Sequence, residues 1–493
     1  MEGNLKKYMK KLIFYLFFLI CSNMISQNHV DALRYSYLDN LGTARYSALA
    51  GSFNALGGDL SSIHQNPAGL SVYRTDEVSF TINSQINTNK TEYFNNSFQE
   101  DKSVFYIQNM GYVKTMRENK NKWNRFSYGL SYNRLKDFNE DIVILGNSNE
   151  SRLNTFLNSA QGVNIEDLNP FSEYLAFNTY LIDTLGDINN YEGFLNSNSN
   201  DISHQNFINR SGYMDELSFS MSGAYNDLLF IGLQLGFTGI NYREENSYKE
   251  SGFEENVNYE WGNVEEFIYS QNLNVIGAGI NYKIGFIMKP TKRLRLGAAY
   301  HSKTNFEIEE NWESNMTALF LNENIGTVTD ISPYGFGNYN LKTPSKSIAS
   351  IALIIAQRGL INLEVEQINY SSSSLRADYY NFLEENANIS NFYRKTTNIR
   401  MGGEWKFGDI SFRAGIAFYE SPFNSENLNV EESNAGERIV QSLGLGYKSN
   451  QYFIDCTLIN STERNEYFMF NESSASEISN SKQSLIFSVG YKF

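Results

Sequence analysis

The chain has 493 residues and a formal net charge of −15 at pH 7. So acidic a chain is a poor match to nucleic acid, whose phosphates attract basic proteins. Phe, Tyr and Trp make up 15% of the residues, and there are only 6 prolines. This composition favours an aromatic-rich β protein over a soluble enzyme.

The N-terminus reads as a secretory signal peptide. Lysines precede a short apolar run, and small and polar residues follow it, which is the order of the three regions of such a peptide. We expect residues 1–26 to be removed by cleavage near Ser26 or Gln27, and translation can start at Met1 or Met9. A lipoprotein signal that uses Cys21 is the alternative.

Residues 27–76 precede the first predicted strand and are rich in turn formers. Their centre, residues 57–70, reads GGDLSSIHQNPAGL and does not alternate as a strand does. Asn66-Pro67 is a typical turn start, because Pro fixes φ and Asn can cap its own turn. The pattern suits either an ordinary turn that feeds the first strand or a small-residue plug inside a barrel.

From about residue 77 to the end, apolar and polar residues alternate with the period of a β-strand. The last strand is the clearest case, with Phe487 and Val489 on one face and Ser484 and Ser488 on the other. The pattern predicts fourteen strands, near residues 77–92, 103–116, 125–137, 214–226, 228–246, 267–289, 293–311, 339–356, 359–371, 395–407, 409–420, 438–449, 451–462 and 481–493.

The connections between these strands alternate between short and long. The long ones are rich in Asn, Ser and Glu and lie near 137–215, 243–266, 313–338, 372–394, 421–437 and 460–481. Tight periplasmic turns and long external loops are typical of outer-membrane barrels, and open sheet edges cannot face lipid. We therefore predict an all-β fold, a closed transmembrane antiparallel β-barrel over residues 77–493. A soluble multi-sheet protein is the structural alternative.

The longest connection, residues 137–215, is too long for a bare loop in a compact domain. It contains apolar and aromatic residues, among them Phe156, Leu157, Phe171, Tyr174, Leu175, Phe177 and Tyr180. We expect short helices that cap the outer mouth of the barrel, and a solvated, partly disordered loop is the alternative.

Charged residues of both signs fall on the predicted lumen face of the strands. They are Arg293, Arg295, Glu364, Glu366, Arg400, Glu404 and Arg413. We expect a salt-bridged barrel interior, since lumen positions alternate with lipid-facing ones. A polar pathway through the lumen is the functional alternative.

No motif in the chain supports catalysis or a bound cofactor. There is no nucleophile elbow, no HExxH and no Walker A loop. Cys456 is the one cysteine after the signal peptide, and the four histidines lack metal-ligand spacing. We expect no enzyme, no cofactor and no metal, and His64 is the one histidine worth testing for haem.

The turn-rich segment and several strands resemble the FadL/TodX (OMPP1) family of outer-membrane transporters of long-chain fatty acids and other hydrophobic compounds. The resemblance rests on the small-residue stretch 42–58, Asp59-Leu60-Ser61-Ser62, Asn66-Pro67-Ala68-Gly69-Leu70, and the strands PTKRLRLGAAYHS, RMGGEW and RAGIAFYESP that start at Pro290, Arg400 and Arg413. It implies a fourteen-stranded barrel with an N-terminal hatch in its lumen, and Asn66, Pro67 and Ala68 as gate residues beside a gap near a kinked strand. Ligand would leave sideways through that gap, and no ligand-contacting residue can be carried over.

The resemblance also implies a location and partners. We expect an outer-membrane channel of a Gram-negative bacterium that takes up hydrophobic small molecules, is surrounded by outer-membrane lipid and is inserted by the barrel-insertion machinery. Some relatives of this fold serve other roles. A docking or secretion component with secreted or surface proteins as partners, and a haemin receptor, are therefore alternative functions.

Overall fold

The computed structural model describes residues 28–118, 122–186, 189–194, 201–254, 263–356, 358–424, 436–471 and 473–493. Within these residues, fourteen antiparallel strands form one ring. The last strand pairs with the first from Glu77↔Lys492 to Glu92↔Glu477, which closes the sheet. The predicted fourteen-stranded barrel is confirmed, and the predicted signal peptide lies outside the described residues.

The barrel strands are β1 (Glu77–Tyr93), β2 (Asn96–Arg117), β3 (Trp123–Asp137 and an outer segment, Glu140–Ser148), β4 (Ile202–Tyr225), β5 (Leu229–Ser251), β6 (Val264–Met288), β7 (Leu294–His301 and Asn305–Phe320), β8 (Gly335–Lys342 and Lys346–Ile355), β9 (Gly359–Asn369), β10 (Lys395–Phe407), β11 (Ile410–Tyr419), β12 (Arg438–Lys448), β13 (Tyr452–Phe468) and β14 (Ala475–Lys492). Four short strands lie in the connections: Ile182–Thr184, Tyr191–Gly193, Thr327–Ile331 and Ser374–Arg376.

Side chains on the two faces of a strand differ in the way that the sequence predicts. On β14, Val489 is 38% exposed on the outer face, whereas Ser488 is 0% exposed on the lumen face. Lipid favours apolar side chains outside, and the packed lumen favours small and polar ones inside.

Predicted and observed strands agree at the short-turn end of the barrel and differ at the long-loop end. β4 begins at Ile202 rather than near residue 214, and β13 and β14 extend to Phe468 and Ala475. Most of the predicted loop 460–481 is therefore a hairpin. Outside the membrane a strand needs no lipid-facing side, so backbone pairing continues where the apolar alternation has ended.

Residues 28–76, called the N-terminal segment below, lie inside the ring of strands. They form α1 (Asn28–Arg34), α2 (Ala44–Ser47), α3 (Ser62–Gln65) and a 3-10 helix (Pro67–Val72). From Gly42 to Ser71 almost every residue is buried against the lumen face. No helix among the described residues is long and apolar enough to cross a membrane.

Helices cover the outer mouth, as predicted for the longest connection. α4 (Arg152–Ala160) and α5 (Glu173–Asn178) bury Phe156 and Leu175 against the barrel wall in one apolar cluster. Two 3-10 helices (Ile165–Asp167 and Tyr370–Ser372) and α6 (Leu383–Phe392) lie in the outer connections, and α6 packs against α1. The N-terminal segment is thus covered on its outer side.

Candidate functional site

Asn66 joins the N-terminal segment to the barrel wall. Its side-chain oxygen accepts a hydrogen bond from the N–H of Ala68 at 3.1 Å, which caps the 3-10 helix that follows. Its Nδ2 donates to the carbonyl oxygens of Asn54 (2.8 Å), Phe286 on β6 (3.1 Å) and Ala298 on β7 (3.4 Å). Asn66 is 1% exposed, so these partners replace water entirely.

Glycines in the wall make this close contact possible. A Cβ atom on Gly285 would lie 1.9 Å from Oδ1 of Asn66, and one on Gly232 would lie 2.2 Å from the carbonyl carbon of Pro67. Three further wall glycines meet the backbone or side chains of residues 49–55 in the same way: Gly297, Gly402 and Gly415. The segment therefore packs against bare strand backbone on this part of the wall.

Ala68 completes the contact. It is fully buried in a small apolar cluster with Ala224, Phe230 and Ile287. The hydroxyl of Ser222 on β4 donates to its carbonyl oxygen at 3.3 Å. Asn66, Pro67 and Ala68 thus contact the wall along β4–β7.

A buried ionic group further along the wall, on β9 and β10, holds the segment as well. Glu364 on β9 accepts hydrogen bonds from the N–H groups of Phe53 (3.1 Å) and Asn54 (2.9 Å) and from the amide of Gln65. Its other neighbour is Arg400 on β10, with 3.0 Å between Nε and Oε1. A charged acceptor makes each of these bonds stronger than a neutral one.

His64 lies in an arrangement that resembles a hydrolytic triad. Its Nδ1 is 2.9 Å from Glu216 and its Nε2 is 3.2 Å from the hydroxyl of Ser131. Ser131 is 1% exposed and also bonds to Ser218, so the hydroxyl is not presented to a substrate. Burial lowers the pKa of His64, although Glu216 opposes the shift. With both ring nitrogens engaged, His64 is a structural link between the segment and β3–β4.

Most of the charged residues predicted to face the lumen do so, and one does not. Those that lie buried in the lumen are Glu364, Glu366, Arg400, Glu404 and Arg413. Arg295 is half-buried and donates to the carbonyl oxygen of Leu56 at 2.9 Å. The predicted lumen position is wrong for Arg293, which lies exposed in the turn before β7.

Two cavities lie on the outer side of the segment. The vestibule, a cavity of about 760 Å³ at the outer mouth, is lined by charged and aromatic side chains such as Arg152, Tyr269 and Trp312. A second cavity of about 60 Å³ lies directly against the segment, and charged side chains such as Lys346, Glu366 and Arg400 line it together with the apolar Leu41 and Ile348. Among the ion pairs of the described residues, none includes Lys346.

The barrel wall is split between β2 and β3. Nine residue pairs join these strands, from Arg117↔Arg125 at the inner end to Asn109↔Asn133. Further out, β2 pairs with β1 and the outer segment of β3 pairs with β4, and the described residues form no ladder between β2 and β3. No residue of β2 from Asn96 to Ile107 is buried, as expected for a strand edge. About 9–11 residues of a tilted strand cross the hydrocarbon core, so the split begins toward the outer side of the membrane.

Side-chain amides bridge the start of this split. Gln108 Nε2 donates to the carbonyl oxygen of Arg134 at 2.9 Å, and Asn109 Nδ2 donates to that of Tyr132 at 3.1 Å. In the N-terminal segment, Leu60 lies beside Gly111 on β2, and Leu70 and Ile63 lie beside Gly129 on β3. Asn66-Pro67-Ala68 contacts a different part of the wall.

Sequence reasoning missed the wall glycines and the split. The glycines had a signal, because Gly is unusual inside a strand and marks close backbone approach. Gly297, Gly402 and Gly415 even stand within the strands that carry the family resemblance. The split had no signal in the sequence, because it depends on which strands pair and on how many residues they pair over.

A family model described as outer membrane protein transport protein (OMPP1/FadL/TodX) matches residues 214–489. Solved structures of similar fold include a Pseudomonas aeruginosa FadL homologue (TM-score 0.55, 14% identity, covering 92% of this chain and 98% of that one). They also include the P. putida toluene transporter TodX (TM-score 0.53, 14% identity, 92% and 98%) and the Ralstonia pickettii toluene transporter TbuX (TM-score 0.50, 13% identity, 93% and 99%). A search of curated protein sequences found no significant match.

Proposed function

The chain belongs to the outer membrane protein transport protein family (OMPP1/FadL/TodX), and from this premise we propose that it takes up a long-chain fatty acid or a similar amphiphile and releases it sideways into the membrane. In this proposal, residues 1–26 are a signal peptide, residues 27–76 are the hatch and Asn66, Pro67 and Ala68 form its gate. The protein acts as a channel and not as an enzyme.

The vestibule is the entrance in this proposal. Its aromatic and charged lining suits a ligand with an apolar body and a polar end. The smaller cavity beyond it is lined mainly by polar and charged side chains, among them Lys346. A carboxylate can pair with this amine while the alkyl chain gains about 0.8 kcal/mol for each buried CH₂ group.

The split between β2 and β3 is the observation that carries the proposal. The N-terminal segment fills the lumen between the cavities and the short-turn end, so a ligand has no straight path inward. An unpaired strand edge at membrane depth is tolerated where it lines a cavity or a path for another molecule. A sideways exit accounts for both features together.

Closing the split by a disulfide tests this proposal. We suggest Gln108→Cys with Leu135→Cys, just beyond the last ladder pair, in a Cys456→Ser background. Oxidation should reduce uptake of radiolabelled oleate by cells to the background level, and a reductant should restore it. Heat-dependent gel mobility checks that each variant is folded.

The matched control joins strands that already pair. Gln441 on β12 lies opposite Asn460 on β13, so Gln441→Cys with Asn460→Cys should leave uptake unchanged when oxidised. Normal uptake by the oxidised Gln108→Cys/Leu135→Cys variant, with the bond proven on a gel, would contradict sideways release.

A further inference from the structure

Four basic side chains gather at the short-turn end of the barrel, beneath the N-terminal segment. They are Arg74, Arg125, Lys289 and Arg295, and Arg74, Arg125 and Arg295 all act electrostatically on Lys289. Among the ion pairs of the described residues, one carboxylate serves this cluster: Asp227, 3.0 Å from Arg125. The chain as a whole is acidic, so this local excess of positive charge is unusual.

The hydrogen bonds of the cluster leave its charge uncancelled. Arg125 donates to the carbonyl oxygen of Ser71 at 2.7 Å, and Arg295 donates to that of Leu56 at 2.9 Å. Carbonyl groups satisfy N–H donors but carry no net charge. Arg125 is only 6% exposed, and its buried Nε has no hydrogen-bond acceptor. A buried donor without a partner is costly, and a bound acceptor would remove that cost.

Lys289 shows the electrostatic consequence. Lys289 lies in the turn after β6, and its amine is 4.1 Å from the centre of the Phe230 ring. It forms no ion pair with a described residue. Burial, together with repulsion from Arg295, lowers the pKa of Lys289 to about 7. An anion bound beside it would oppose both effects.

The opposite side of the same end carries more carboxylates: Glu77 lies 3.6 Å from Lys492, although Lys448 has no ion pair among the described residues. There, Arg45 and Arg413 share Glu404 at 2.8 and 2.7 Å, and Arg413 also pairs with Asp455 at 2.5 Å. Three carboxylates therefore offset most of the positive charge on this side of the inner end, whereas one carboxylate serves the Arg74–Arg125–Lys289–Arg295 side.

We propose that the Arg74–Arg125–Lys289–Arg295 cluster binds a phosphate group, either from the head group of an inner-leaflet phospholipid or as free phosphate. Arginine forks match the geometry of phosphate oxygens. Trp123 and Tyr225 pack edge to face beside Arg125, with Trp123 38% exposed, and such aromatic residues mark the head-group level of a membrane. A lipid head group at this level carries phosphate within reach of the cluster, and the probes below separate this source from free phosphate.

Lipid titration of the full chain in mild detergent, followed by native mass spectrometry, tests the proposal. The variant is Lys289→Gln with Arg74→Gln, and the control is Lys406→Gln with Lys492→Gln, which removes equal charge from the opposite side, where Glu404 and Glu77 lie beside these two lysines. Short-chain phosphatidylglycerol should bind the parent and the control alike. At about 1 kcal/mol for each cation, the variant should bind roughly tenfold to thirtyfold more weakly.

Two further probes identify the source of the phosphate. If inorganic phosphate displaces phosphatidylglycerol, the cluster takes the free anion as well, and if it does not, the site needs the lipid. Equal binding of phosphatidylglycerol by variant and parent would overturn the proposal, and so would equally tight binding of dioleoylglycerol, which lacks phosphate. Heat-dependent mobility on a gel confirms that all variants are folded.

Discussion

The wall along β5–β7 contacts the N-terminal segment closely, whereas the wall between β2 and β3 has an incomplete hydrogen-bond ladder. Along β5–β7, glycines bring bare backbone against the N-terminal segment, and Asn66 bonds directly to the strand carbonyls of Phe286 and Ala298. Between β2 and β3, the ladder ends at Asn109↔Asn133, and side-chain amides alone bridge the start of the split. One wall fixes the segment. The other ends its ladder early, and side chains such as Asn89 and Lys102 bond to the outer segment of β3 in its place.

This difference separates the two parts of a gate. A channel with an internal plug needs a fixed anchor and a weak point, and placing them on different strands lets one change without the other. We therefore expect substitutions along β5–β7 to affect stability and plugging, and substitutions between β2 and β3 to affect release.

The largest expected effect is at the anchor. Gly285→Val places a side chain where Oδ1 of Asn66 lies, so the segment or the strand must move, at a cost of about 3 kcal/mol. Urea unfolding in detergent measures this cost, and trypsin cleavage within residues 28–76 reports displacement of the segment. The matched control is Gly239→Val on β5, where nothing lies within 4 Å of the added Cβ. Equal effects of the two substitutions would mean that the close contact is not the cause.

Loosening the anchor without adding bulk is expected to have the next largest effect. Replacing Asn66-Pro67-Ala68 by three glycines removes three side-chain hydrogen bonds to backbone carbonyls and one cap, at a cost of about 2 kcal/mol. The barrel should still insert, and its ion conductance in planar bilayers should rise. The same replacement of Asn322-Glu323-Asn324, in an exposed outer turn, should leave conductance unchanged. Parental conductance in the first variant would show that these residues do not gate.

A substitution in the cavity that Lys346 lines is expected to have a smaller effect. Lys346→Gln removes the amine that would pair with a carboxylate, a contact worth about 1.5 kcal/mol or roughly tenfold in affinity. The KM for oleate uptake should rise by that factor, while uptake of toluene, which has no charge, should not change. A parallel loss for both compounds would point to a change in the cavity's shape instead.

The smallest expected effect is at the opening. Gln108→Ala removes one bridging hydrogen bond, worth about 1 kcal/mol, from a place where the ladder has already ended. Hydrogen exchange of the β3 amides near residue 134 should become faster, while exchange along β5–β7 stays as it is. Faster exchange in both regions would mean that anchor and opening are not independent.

The strands and the lumen segment were predictable because each has a local signature. Alternation gives β14 its two faces, and turn formers mark the short-turn end, so strand ends there agree with the prediction. The outer ends were not predictable in this way. Between residues 460 and 481 the two strands continue as a polar hairpin, and no local pattern separates a polar hairpin from a polar loop.

The site was only partly predictable for a similar reason. Asn66-Pro67 has the composition of a capped turn, and the structure has that cap. The three partners of its Nδ2, however, are backbone carbonyls, two on the wall and one at Asn54 within the segment, and any residue could supply them. The position of the split depends on the length of the ladder between β2 and β3, which is a property of the pairing and not of either strand alone.

Photo-crosslinking of the ligand during its exit tests sideways release most directly. Cells that take up a fatty acid with a terminal diazirine are irradiated, and the labelled residues are mapped by mass spectrometry of the purified protein. The account predicts label on the edges of the split, near Ile107 on β2 and Leu135 on β3. Label concentrated at the short-turn end beneath the N-terminal segment, near Asp227 and Arg295, would contradict it.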